Sequence, residues 1–149
     1  MPVGAAQAAF RTAAARDGIL LETAKVPWIN QRGHFGLPQE AAGMAGVALA
    51  QIFTGLGGQG DVQSGKRITP LPGDFYHAST DTFIETDEFQ HFTTFRLRTL
   101  ELYPPDVPLG FDKDQYTGLC RQLADRADKY RATKAATGFG PGGRQRQRA

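Results

Sequence analysis

Asp74, Glu85 and Asp87 are the residues whose types and spacing could do chemistry together. Asp74–His77 and Asp81–Asp87 are extended-type runs, and Ala78, Ser79 and Thr80 between them read as a turn. An antiparallel hairpin with that turn sets Asp74 opposite Glu85. Opposed side chains on one face of such a pair lie roughly 4.5–5.5 Å apart at Cβ. Like charges there repel, and burying them is costly, so a cation between them is the simplest way to keep both. Asp87 is two residues beyond Glu85 and projects to the same face, as Phe83 does, while Ile84 and Thr86 point the other way. Three carboxylates are therefore expected to converge. Hard divalent ions, Mg²⁺ or Mn²⁺, are commonly held by such oxygens together with substrate phosphate.

Gln90 and His91 follow where the strand gives way to a helix, in position to look back at the same point. A neutral imidazole there could relay a proton or place an attacking water. Arg96 and Arg98 on the next helix could meet phosphate or developing negative charge. Together these are the parts of metal-assisted phosphodiester hydrolysis. Taken singly, the same residues have plainer readings: acids on a solvated hairpin face, a hydrogen-bonded structural histidine, arginines on a solvated helix.

Asp74-Phe75, followed by Glu85-x-Asp87-x-x-Gln90-His91, resembles the core of the PD-(D/E)xK nuclease superfamily, in particular the branch near very-short-patch-repair endonucleases and their small uncharacterised bacterial relatives. The match covers about thirty residues. It implies a restriction-endonuclease-like fold, Asp74 and Glu85 as metal ligands, Asp87 in place of the usual Lys, Gln90 and His91 as active-site partners, a Mg²⁺ (or Mn²⁺) cofactor and DNA as substrate. The sequence departs from that pattern at Glu88, where the relatives have Gly, and at Pro72-Gly73-Asp74, where the proline is displaced by one residue. The superfamily core continues with a strand after its second core helix; no segment here reads as that strand, so it is absent or supplied elsewhere, and the alternatives are an incomplete chain or a reduced, truncated form of the fold. Such sites often include an upstream acid, for which Asp17, Glu22, Glu40 and Asp61 are the candidates. The alternative is an inactive nuclease-fold module that binds nucleic acid or a protein partner.

The elements that must position these residues read as a small α+β domain over residues 1–137, a small central β-sheet with the hairpin at its core and helices around it, followed by a flexible basic tail over 138–149. An Ala-rich helix is predicted over 4–17, stopped by Gly18. A loop over 19–37 has a short extended piece at Ile19–Leu21. A helix from Pro38 to about Thr54 follows, closed by Gly55. Residues 55–65 read as a flexible Gly-rich loop, and 66–70 as a strand. Thr93 or Thr94 caps a helix that Tyr103-Pro104-Pro105 ends. Asp112 and Gln115 form a capping box with Phe111 and Tyr116 as its staple, and the apolar stripe beyond predicts a helix to about Lys134. Cys120 lies on that stripe and reads as core. Asp81 reads as a turn residue, His77 and His34 as structural, and Trp28 as a core or lid anchor.

Composition narrows the classes. With 40% hydrophobic and 21% charged residues the chain is globular. One cysteine excludes an internal disulfide framework and a Cys₄ or Cys₂His₂ zinc site, and points to a reducing, cytoplasmic setting. Formal charge is +2, but Arg144, Arg146 and Arg148 sit in a terminal stretch without acids, so the body is nearly neutral. That excludes a surface that clamps phosphate all over, and DNA binding would be weak and salt-sensitive unless a homodimer concentrates the charge. The apolar run Ala41–Phe53 is too short to span a bilayer, so no membrane association is expected.

Overall fold

A computed structural model describes residues 4–23, 25–130 and 132–148. The elements run α1 (Ala5–Arg16), β1 (Lys25–Asn30), α2 (Met44–Gly55), α3 (Gly60–Ser64), β2 (Pro70–Pro72), β3 (Phe75–His77), β4 (Thr82–Ile84), α4 (Thr94–Glu101), α5 (Lys113–Ala127) and α6 (Arg144–Arg148). The fold is α+β. Its strands form two antiparallel pairs, β1 with β2 and β3 with β4, where the sequence suggests one small central sheet. Short strands and the three prolines in β1 and β2 leave too few backbone donors for a wider ladder. Glu22 bridges to Tyr76 on the free edge of β3.

The hairpin has the register read from the sequence: Phe75 faces Ile84, Tyr76 faces Phe83 and His77 faces Thr82. A single 3₁₀ turn, Ala78–Thr80, closes it, and Asp81 takes the left-handed conformation at φ 49°. Tyr76 donates its hydroxyl to Asp81 across the turn. Phe75 is fully buried and pins the hairpin to α1 through the Phe10 ring, 5.7 Å away.

Helix boundaries follow local chemistry. Thr93 accepts the Arg96 N–H at 3.0 Å to start α4, and Asp112 accepts the Gln115 N–H at 2.9 Å to start α5. Phe111 and Tyr116 stack 5.2 Å apart as the staple. α5 stops at Ala127, short of Lys134, and the Asp128 carboxylate at its C-terminal cap accepts the Thr94 N–H and hydroxyl at 3.0 and 2.8 Å, capping α4. The helix read from Pro38 is divided. Gln39–Ala41 form one 3₁₀ turn, Gly43 leaves helical geometry, and α2 begins at Met44.

Two apolar clusters hold the elements together. Phe92, Leu100 and Cys120 join α4 to α5. Ile52, Leu56, Ala136 and Phe139 join α2 to the C-terminal segment. The latter corrects the flexible tail. Phe139 is 8% exposed, and Arg146 donates to its carbonyl at 2.7 Å. Burying a Phe contributes roughly 1.5–3 kcal/mol toward holding a glycine-rich stretch that polarity alone leaves loose. The Gly-rich loop over 55–65 is likewise ordered, with α3 inside it and Gln63 buried.

Candidate active site

Asp74 immediately precedes β3, and Thr86 follows the end of β4. The Asp74 carboxylate ties them together: Oδ2 accepts the Thr86 backbone N–H at 2.8 Å and its hydroxyl at 2.5 Å, while Oδ1 accepts Gln7 Nε2 of α1 at 3.1 Å. Strand alternation therefore ends at Ile84, and Thr86 turns toward the acids instead of away from them. Glu85 lies beside Asp74. Burial and the Asp74 charge push its pKa above the ordinary carboxylate value, partly offset by a hydrogen bond from the Asp74 backbone.

Asp74, Glu85, Gln90 and His91 line one cavity of about 230 Å³. Among the described residues no lysine or arginine lines it. Gln90 is 4% exposed. Its Nε2 donates to Glu88 Oε2 at 3.3 Å, and its Oε1 has no hydrogen-bond partner. The carboxylate at Glu88 fixes the amide orientation, since the reverse would set two acceptors together.

Asp87 does not join this group. Its carboxylate turns to the other side, where Oδ2 accepts the Tyr116 hydroxyl at 2.6 Å and Oδ1 lies 3.0 Å from His91 Nδ1. Burial raises the Asp87 pKa, but the bonds to His91 and Tyr116 and the Arg96 charge outweigh it and hold it below the usual range. Parity fails here because the chain leaves strand geometry at Ile84. Among the described residues no three His, Cys, Asp or Glu side chains form a group that could hold a metal ion, so the expected three-carboxylate convergence is absent. What remains is two carboxylates and one amide oxygen.

A larger cavity, about 720 Å³, opens on the other side of Glu85 and contains Asp87, Arg96, Tyr103 and Tyr116. Glu85 lines both cavities. Arg98 belongs to neither. It is exposed and pairs with Glu101 at 3.5 Å, so of the two arginines read from the sequence only Arg96 lines a cavity that Glu85 also lines, and neither lines the acidic one. None of Asp17, Glu22, Glu40 and Asp61 lines the acidic cavity, and the neighbour supplied by α1 is Gln7. His77 bonds Ser79 and Thr80 within its turn, and His34 packs on Phe35 and Phe53. Trp28 is 48% exposed, edge-on to Phe83 at 6.2 Å.

Glu88 is the functional neighbour that sequence reasoning misses. It caps the N-terminus of α1, accepting from Gly4 N–H at 2.9 and 2.8 Å and from Ala6 N–H at 3.0 Å. Those backbone bonds hold its pKa below the ordinary value. The Glu88 N–H in turn donates to His91 Nδ1 at 3.1 Å. Nδ1 therefore meets two partners with opposite requirements: Glu88 N–H needs its lone pair, and Asp87 needs its proton. The only signal in the sequence is Glu88 itself, an extra acid beside Asp87.

The family of unknown function DUF7255 matches residues 51–138, and the chain belongs to that family. The matched stretch contains Asp74, Glu85, Asp87, Gln90, His91 and Arg96. No curated protein and no solved structure matches the chain. Among the described residues no helix is long and apolar enough to cross a membrane.

Proposed function

We propose that the chain is a Mg²⁺- or Mn²⁺-dependent endonuclease-like hydrolase of DNA phosphodiesters, acting in the cytoplasm and related to the PD-(D/E)xK nucleases. The observation that carries this reading is the unpartnered Oε1 of buried Gln90 in a cavity that it shares with Asp74 and Glu85. Two carboxylates and an amide carbonyl suit a hard divalent cation, which commonly takes one or two protein carboxylates and fills its remaining positions with water and phosphate. Bound there, such an ion supplies Lewis-acid stabilisation of the phosphoryl oxygen and a more acidic water.

The chain's own residues hold and orient. Thr86 and Gln7 fix the Asp74 carboxylate, and Glu88 fixes the Gln90 amide. His91 can hold a proton at Nδ1 against Asp87 or release it and accept from Glu88 N–H, which suits it to carry a proton at the edge of the cavity. Arg96, in the larger cavity beside Glu85, offers positive charge for a phosphate approaching from that side.

A second reading is a nuclease-fold module without hydrolytic activity, binding nucleic acid or a protein partner. The observation that favours it is Asp87, turned away and satisfied by Tyr116, His91 and Arg96. Cleavage of supercoiled plasmid and of single-stranded DNA with Mg²⁺ or Mn²⁺ separates the two. Metal-dependent cleavage by the native chain, reduced at least about a hundredfold in Glu85→Ala, supports the hydrolase. No cleavage by the native chain, or cleavage unchanged in Glu85→Ala, overturns it.

A further inference from the structure

A third cavity, of about 570 Å³, shares no lining residue with the acidic one. It opens between the end of β1, α2, α3 and the C-terminal segment. Its chemistry is the reverse of the carboxylate site. Lys66 and Arg144 line it, and among the described residues no Asp or Glu does. Lys66 Nζ donates to the Thr137 carbonyl at 2.6 Å, leaving two of its three N–H groups for another acceptor. Burial without a carboxylate partner holds the Lys66 pKa below its ordinary value.

Gln63 supplies the second observation. It is 7% exposed, and its Nε2 donates to the Gln31 carbonyl at 2.9 Å. A carbonyl can only accept, so the amide orientation is fixed and Oε1 is the free end, without a hydrogen-bond partner. Gly138, at φ +95°, packs closely against that oxygen: a Cβ there would stand 2.6 Å from Oε1 and 3.4 Å from Lys66 Nζ. The apolar part of the wall is aromatic. Phe53 meets Phe139 at 5.2 Å and His34 at 5.1 Å between ring centroids.

An occupant with negative charge, a hydrogen-bond donor and a flat face complements these three features of the wall. We propose that this cavity binds a nucleoside monophosphate unit, with phosphate at Lys66 and Arg144, the base against Phe53 and His34, and a base N–H donating to Gln63 Oε1. Every nucleobase offers such a donor, so the unit is defined by class. The volume lies in the ordinary range of small-ligand pockets, about 300–1,000 Å³. The site is independent of the proposed hydrolytic centre, with which it has no residue in common.

Calorimetric titration of the full chain tests this with AMP and dCMP, the corresponding nucleosides, inorganic phosphate, and an oligonucleotide with and without a 5′-phosphate. Expected is binding of a monophosphate unit, free or at a strand end, at least about tenfold tighter than phosphate or nucleoside alone. Gln63→Leu should weaken it about tenfold, and Lys66→Ala should remove the advantage of the phosphate. Glu85→Ala should leave it unchanged, which keeps this test separate from that of the hydrolase. Circular dichroism checks that each variant is folded, and Arg144→Ala, on an exposed helix, provides a second variant should Gln63→Leu fail to fold. Binding of phosphate as tight as that of the nucleotide, no binding of either monophosphate form, or folded Lys66→Ala and Arg144→Ala variants with undiminished affinity would overturn the assignment.

Discussion

Both carboxylate oxygens of Glu88 accept the backbone N–H of Gly4, a residue 84 positions away in the chain. Glu88 thereby supplies the cap that α1 lacks from its own sequence, since Gly4 has no side chain to offer. It also orients Gln90. One acid thus fixes the N-terminal helix and one wall of the acidic cavity.

Glu88→Ala should free the first turn of α1. Amide hydrogen exchange over Ala5–Arg16 should accelerate in the variant while α5 stays protected. The sign with pH follows from the lowered Glu88 pKa. The anchoring is complete above the ordinary glutamate value and is lost as pH falls through the lower folded value. The difference between native and variant chains should fade over that acid window.

Tyr116→Phe should destabilise the chain by about 1–2 kcal/mol, because it deletes a hydrogen bond to a charged and largely covered carboxylate. Asp87 has a depressed pKa, so its contribution is present above the ordinary aspartate value and disappears as acid protonates it in the fold. Urea unfolding at neutral pH should show the full loss, and at a pH below the folded Asp87 value the gap should close.

Gly73→Ala should act on the site through packing. A Cβ at Gly73 would come within 1.9 Å of Phe83 Cζ and 2.9 Å of Glu85 Oε1. Relief requires both side chains to move, and overpacking of this kind costs about 1–3 kcal/mol. Thermal unfolding should report the loss, and metal affinity should fall with it. An alanine variant as stable as the native chain would contradict the packing described for Phe83.

Glu85→Gln should raise stability at neutral pH in metal-free buffer. The Glu85 pKa is raised, so the fold keeps a proton that the unfolded chain has already lost. Stability therefore falls as pH rises from the ordinary glutamate value through the raised one, and the penalty persists above it. The glutamine variant should melt higher than the native chain at pH 7, with the gap vanishing below the ordinary glutamate value. Added Mg²⁺ should reverse the order, since an ion at a hundred times its Kd adds about 2.7 kcal/mol to the native chain alone.

Local signals were legible. The turn at Ala78–Thr80 and the apolar residues on either side specify the hairpin register, and the Thr93 and Asp112 caps specify where α4 and α5 begin. Asp74, Glu85, Gln90 and His91 share a cavity as their spacing suggests. Long-range contacts were not legible. β1 contains Pro27 and Trp28 and no alternation, and only its pairing with β2 makes it a strand. Asp128, at the end of α5, caps α4 through Thr94, 34 residues away, a contact that no local pattern announces. The direction of Asp87 depends on a hydroxyl supplied by α5, while strand parity, which holds only as far as Ile84, aims it elsewhere. The C-terminal segment reads as tail because one buried Phe139 among glycines carries no periodicity.

Paramagnetic broadening by Mn²⁺, followed residue by residue in the NMR spectrum of the full chain, reports most directly on the acidic cavity. At substoichiometric Mn²⁺ the Gln90 side-chain amide and the backbone signals of Asp74 and Glu85 should broaden first, and Glu85→Gln should abolish that selectivity. Broadening that begins at exposed acids elsewhere, such as Asp106 or Asp114, or that is the same in Glu85→Gln, would contradict a cation site at Asp74, Glu85 and Gln90.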